Sequence, residues 1–159
     1  MKTEPAIRIA TPNDSTLIYE FIMKMARYEK LETEVDITPE LIRSSVFEQH
    51  QAEVIICQAE GQAVGFTLFF HNYSTFMGQR GLYIEDIFVD EPFRGRGYGK
   101  AMFLFLARLA VERGCRRMEW VVLDWNKPSI EFYKSLGAVP MEGWTLFRLT
   151  EERLRILAQ

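Results

Sequence analysis

The sequence predicts a single α+β domain over residues 1–159, with a mixed, largely antiparallel central sheet flanked by helices. Three observations carry this prediction. Apolar runs of strand length alternate with segments whose apolar residues recur at helical spacing. Glu60-Gly61-Gln62 separates two such runs, the mark of an antiparallel hairpin. No linker, repeat or low-complexity tract divides the chain, and 159 residues suit one core.

Taken in order, Ile7 to Ala10 alternates apolar and polar residues and reads as a short strand. Thr11-Pro12-Asn13-Asp14 is a turn with a helix cap, after which Leu17, Ile18, Phe21, Ile22 and Met25 define a helical face. Thr38-Pro39-Glu40 starts a second helix with a cap, a proline at the first position and an acid on the dipole. Ala52 to Ala59 and Ala63 to Phe70 are the arms of the hairpin, and Met77-Gly78-Gln79 turns into a strand ending at Val89. Met102, Leu104, Phe105, Leu106, Leu109 and Ala110 give the next helix a broad apolar face, and Gly114 ends it. Arg117 to Leu123 reads as a strand. Asn126 caps a helix from Lys127-Pro128 to Leu136-Gly137. Ala138-Val139 and Trp144 to Leu149 read as final strands, and Glu151 to Leu157 as a short helix.

Bulk properties narrow the function. Hydrophobic residues at 48% and charged ones at 26% are ordinary for a globular protein. A net charge of −3 argues against a general nucleic-acid binder and permits a cationic substrate. Cys57 and Cys115 match no zinc or redox spacing, and His50 and His71 stand apart from any ligand cluster, so no metal is expected. Met1-Lys2-Thr3-Glu4-Pro5 leads directly into a strand-like run with no leader pattern. No stretch reaches the ~18 apolar residues of a membrane span. A cytoplasmic protein without a membrane partner is the expectation.

Arg94-Gly95-Arg96-Gly97-Tyr98-Gly99-Lys100 lies between the strand ending at Val89 and the helix that follows. A strand, a glycine turn and a helix start make an anion site: backbone N–H groups and the helix dipole converge, and glycine allows close approach. A solvated basic turn is the plainer alternative. A Walker A loop fails because Arg94 holds the first glycine position and Ala101 follows Lys100. The dinucleotide fingerprint fails because Lys100 or Met102 falls where its last glycine belongs. Just upstream, Glu85 and Asp86 place two carboxylates inside an apolar strand. Strand alternation sends them to opposite faces unless a bulge re-aims one. A solvent-facing or structurally paired Asp86 is the alternative to a functional one.

Arg94-x-x-Gly97-x-Gly99 resembles the pyrophosphate loop of the GNAT superfamily of N-acetyltransferases. Ala26-Arg27-Tyr28-Glu29, Tyr83 to Val89, Asp124-Trp125-Asn126, Phe132 to Ala138 and Glu142-Gly143-Trp144 are similar to its diamine and thialysine (spermidine/spermine-type) branch. The resemblance implies a sheet with splayed central strands and acetyl-CoA as co-substrate. It implies that Ile87, Phe88 and Val89 lie along the pantetheine, and that Arg94, Gly95, Arg96, Gly97, Tyr98, Gly99 and Lys100 surround the pyrophosphate. Asn126, Ser129 and Tyr133 also fall on the coenzyme side. Glu85 matches the proton-accepting glutamate, Tyr133 the general acid, and Tyr28, Glu29, Glu85 and Asp86 the amine-binding residues. For Tyr133 and Phe132 a plain core role is the alternative, and for Glu29 an exposed helix end. Ser74 and Phe76 stand where polyamine-acetylating relatives carry an aspartate and a tryptophan, which points toward a shorter amine. The branch also implies a homodimer formed through the C-terminal region, where Trp144, Leu146 and Phe147 lie. The expected activity is therefore acetyl transfer to the primary amine of a small molecule, a thialysine-like amino acid or a diamine. A non-catalytic acyl-CoA-binding module and an acetyltransferase acting on a protein or peptide amine are the alternatives.

Overall fold

The computed structural model describes residues 4–159; Met1-Lys2-Thr3, the start of the segment read above for a leader, lies outside the described residues. The chain divides into two compact units, one reaching Val121 and the other spanning Val122–Gln159.

The first unit holds strands β1 (Ala6–Ile9), β2 (Glu53–Ala59), β3 (Gln62–Ser74), β4 (Gln79–Val89) and β5 (Met118–Glu119). Its helices are α1 (Ser15–Glu29), α2 (Pro39–Ile42) and α3 (Tyr98–Glu112). The strands form one sheet in the order β1-β2-β3-β4-β5. Every neighbouring pair is antiparallel except β4 with β5, which is parallel. The predicted α+β class with a mixed, largely antiparallel sheet is therefore the one adopted.

Local chemistry sets the ends of these elements. Before α1, Asp14 accepts from the Thr11 N–H at 2.7 Å and from both Arg8 guanidinium nitrogens at 2.8 and 2.7 Å. The hydrogen bonds from Arg8, then that from the Thr11 N–H and the Arg8 charge, hold the Asp14 carboxyl at about 2. Thr38 Oγ1 accepts from the Leu41 N–H at 3.1 Å to cap α2, which widens into a π-helical turn over Arg43–Glu48. In the β2–β3 hairpin Glu60 and Gly61 take φ of 53° and 78°. Two positive φ values in succession are what the right-handed strand twist selects.

Helices cover both faces of the sheet. Ile18, Phe21 and Met25 of α1 bury against Val54, Ile56, Phe66 and Phe88, with the Phe21 and Phe66 rings stacked at 5.7 Å. On the opposite face Thr67 donates to the Met102 sulfur of α3 at 3.4 Å, and Ile55, paired with Thr67, points the same way. This two-sided burial explains the unbroken apolar run from Val54 to Cys57 within β2. Gly65 has a packing role: a Cβ there would lie 2.5 Å from the Phe88 carbonyl oxygen.

One irregularity shapes β4. Leu68 pairs with Asp86 but Phe69 pairs with Ile84, so Glu85 is an extra residue without a counterpart on β3. The parallel ladder to β5 joins only Leu82 with Met118 and Tyr83 with Glu119 and stops short of this bulge. A bulge bends its strand and increases its twist. The strand expected over Arg117 to Leu123 is accordingly confined to Met118–Glu119.

The second unit contains α4 (Lys127–Ser135) and α5 (Glu151–Leu157). The Asn126 side chain accepts from the Ser129 N–H at 3.4 Å, the expected cap of α4, and Thr150 Oγ1 accepts from the Arg153 N–H at 3.4 Å to cap α5. Gly137, at φ 88°, follows the end of α4. The strands expected at Ala138-Val139 and Trp144 to Leu149 are absent from the described residues. Apolar alternation alone makes no strand without a ladder partner, and Trp144, Leu146 and Phe147 are strongly exposed.

Candidate active site

The far half of β4 presents an open backbone edge. The Asp90 N–H donates to the Val64 carbonyl of β3 at 2.9 Å. In an antiparallel ladder successive residues direct their backbone groups to opposite sides. Phe88 therefore faces β3, while Ile87 and Val89 face the side on which β5 pairs no further than Tyr83. This is the splay expected for the central strands.

The edge runs into the glycine turn. Gly95 and Gly97 take φ of 73° and 89°, and the space where a Cβ would project is empty to 4 Å at both. Gly97 is the N-cap of α3, and no side chain caps that end. The N–H groups of Tyr98, Gly99 and Lys100 precede the first intrahelical bond, from Ala101 to Gly97 at 3.0 Å. Such a turn fits a phosphate-bearing group. Its arginines also make contacts of their own. Arg96 donates to Glu60 at 2.9 Å and to the Pro92 carbonyl at 3.1 Å. Arg94 donates through Nε to the Val89 carbonyl at 2.9 Å, and its guanidinium lies 4.4 Å from the Tyr28 ring centre. The N–H groups at the start of α3 are thus donors of this turn that no side chain caps.

The acids gather beside that edge. The bulge sends Asp86 to the α1 face with its partner Leu68, and leaves Glu85 exposed. Burial, then the charges of Glu85 and Glu29, push the half-buried Asp86 carboxyl up to about 7. Glu29, at the end of α1, is raised by burial. Tyr28, Glu29, Glu85 and Asp86, named separately from sequence, therefore belong to one neighbourhood within the first unit. Lys24 of α1 closes an ion pair with Asp90 at the exit of β4. Neither that pair nor the Tyr28–Arg94 stack has a local signal in sequence, because each joins residues from distant segments.

Asn126, Ser129 and Tyr133 lie in the second unit. Asn126 is buried and caps α4, and the half-buried Tyr133 ring stands 5.6 Å from that of Phe132. Ser74 ends β3. It is buried, and its Oγ accepts from the Met77 N–H at 3.3 Å, which holds the β3–β4 turn, while Phe76 is 99% exposed. Among the described residues no group of three or more His, Cys, Asp or Glu side chains is arranged for a metal ion, and no helix is long and apolar enough to cross a membrane.

With this geometry in place, similarity to known proteins is informative. Residues 16–138 match the acetyltransferase (GNAT) family. The chain is 37% identical to thialysine N-epsilon-acetyltransferase of Bos taurus, over 96% of each protein. It is 32% identical to an L-ornithine N5-acetyltransferase of Arabidopsis thaliana, over 95% of this chain and 86% of that one. An integron cassette protein from V. cholerae shares the fold with a TM-score of 0.82 at 23% identity, covering 99% of both chains.

The acid cluster gives a signed prediction. The folded Asp86 titrates near 7, above the 3.8 of an unperturbed aspartate, so its ionisation opposes folding progressively as pH rises from 3.8 to 7. Asp86→Asn should stabilise the protein by about 1–3 kcal/mol at pH 8 and by little at pH 4. Urea unfolding at the two pH values measures this. An equal gain at both would contradict the assigned cause.

Proposed function

The chain belongs to the acetyltransferase (GNAT) family, and on that premise we propose that it transfers an acetyl group from acetyl-CoA to the primary amine of a small molecule. A thialysine-like amino acid or a short diamine is the proposed acceptor, and the cytoplasm the proposed compartment. The observation that carries this reading is the continuity between the open edge of β4 and the uncapped glycine turn. An extended pantetheine matches the first, and a pyrophosphate matches the second.

An alkyl amine with a pKa near ~10.4 is only about one part in a thousand neutral at pH 7, which adds roughly 4–5 kcal/mol to the barrier if it stays protonated. Carboxylates answer this in two ways. Asp86 and Glu29, with Tyr28 beside them, attract and orient the ammonium. Glu85, exposed on the bulge, accepts the proton directly or through water. The acyl donor supplies an acetyl thioester when bound. Nitrogen bonds to its carbonyl carbon as the carbon–sulfur bond breaks, and Tyr133 gives its phenolic proton to the departing sulfur. Ile87 and Val89 hold the donor by backbone pairing, and Asn126 and Ser129 flank it. The names of the thialysine and ornithine acetyltransferases support a basic amino acid as acceptor.

A homodimer is part of the same reading. Trp144, Leu146 and Phe147 are 78%, 72% and 89% exposed in the single chain. A second copy would cover this apolar segment. Light scattering at micromolar concentration should give twice the mass of the chain, and a monomer would contradict the dimer.

Activity is tested by free-thiol release from acetyl-CoA with thialysine, ornithine, lysine, diamines, polyamines and peptides. Release should be fastest with a small basic amine. Tyr133→Phe should lower the single-turnover rate by about 10²–10⁴-fold while changing coenzyme affinity far less. Release with peptides alone would replace the small-amine reading, and release with none would sink it.

A further inference from the structure

The geometry points to Arg94 as a positioning residue of the amine site, which it serves by clamping Tyr28 to the coenzyme-side edge of β4. Three contacts define the clamp. Arg94 Nε donates to the Val89 carbonyl at 2.9 Å. The guanidinium carbon Cζ lies 4.4 Å from the Tyr28 ring centre and 5.4 Å from that of Phe88. The hydrogen bond uses Nε and the ring contacts involve Cζ, so separate atoms of one side chain serve both. An ammonium is a single point of charge and loses this division.

What the clamp joins gives it a role. Val89 belongs to the open edge of β4 and leads into the glycine turn. Tyr28 lies on the last turn of α1, beside Glu29, and Lys30 at φ 60° ends the helix immediately afterwards. Glu29 acts electrostatically on Asp86. One side chain thus fixes the end of the helix that carries amine-side groups to the strand that carries donor-side groups. Arg94 Nε is thus taken up by Val89 while its Cζ lies over Tyr28. The glycine turn adds backbone N–H groups that no side chain caps. Arg94 and Tyr28 are both exposed, so replacing them does not threaten the core.

This inference rests on the amine-acetyltransferase reading, and its test separates the two. Arg94→Lys keeps the charge and loses the fork. It is measured in three backgrounds of the full chain: wild type, Tyr28→Phe and Tyr28→Leu. The readouts are the KM of the best amine from the thiol assay and the Kd of CoA by calorimetry. In the wild-type and Phe backgrounds, where an aromatic face remains, Arg94→Lys should raise the amine KM about three- to tenfold. In the Leu background it should add nothing, because the clamp is already broken. The cost should fall on the amine KM rather than on the Kd of CoA. An equal cost in all three backgrounds, or a cost confined to CoA binding, would overturn the clamp while leaving the activity standing. A wild-type protein that acetylates no amine would instead defeat the functional reading itself.

Discussion

The organisation of the first unit depends on one extra residue in one strand. Glu85 has no counterpart on β3, and the side-chain alternation of β4 shifts by one at that point. Tyr83 and Asp86 consequently share the α1 face, whereas an uninterrupted strand would separate them. The same irregularity coincides with the end of the β4–β5 ladder. Ile87 and Val89 therefore keep unpaired backbone directions immediately before the glycine turn. Acids, an open edge and a glycine turn thus follow one register shift along one short length of chain.

Electrostatics separates scaffold from site. Asp14 and Asp86 are the same residue type with opposite fates. Arg8 holds Asp14 at about 2; burial with Glu85 and Glu29 for company lifts Asp86 to about 7. Elsewhere acids near the sheet have basic partners, as in Arg113 with Glu53 and Lys24 with Asp90. The acids beside the open edge are arranged to repel one another. On the functional reading proposed above, an incoming ammonium does for Asp86 what Arg8 does for Asp14. The cluster is then a site in which the charge of the substrate completes the balance.

Much of this was legible in the sequence. The helix starts at Asp14, Thr38 and Asn126 follow from caps, which are local, and the β2–β3 hairpin follows from Glu60-Gly61. The glycine turn was legible because positive φ leaves a glycine signature. Residue order could name Glu85 and Asp86 and raise the possibility of a bulge, but the pairing register decides it. Strand endings were less legible. Arg117 to Leu123 and Trp144 to Leu149 carry strand-like apolar content, yet pairing depends on partners that local pattern does not specify. The two arginines of the turn were read beside the pyrophosphate; their contacts with Glu60, Tyr28 and Val89, remote or unremarkable in sequence, had no local signal. Ser74 was read for its charge difference from relatives, and residue order did not show that its hydroxyl also holds the β3–β4 turn.

The central claim is that the coenzyme adds itself to the open edge of β4 and places its phosphates on the start of α3. Residue-resolved amide hydrogen exchange with and without CoA tests it most directly. Slowed exchange is expected at Ile87 or Val89 and across Tyr98, Gly99 and Lys100. No change is expected at Phe88, whose N–H already faces β3. Saturating CoA that leaves the Ile87, Val89 and α3-start amides unprotected would contradict it.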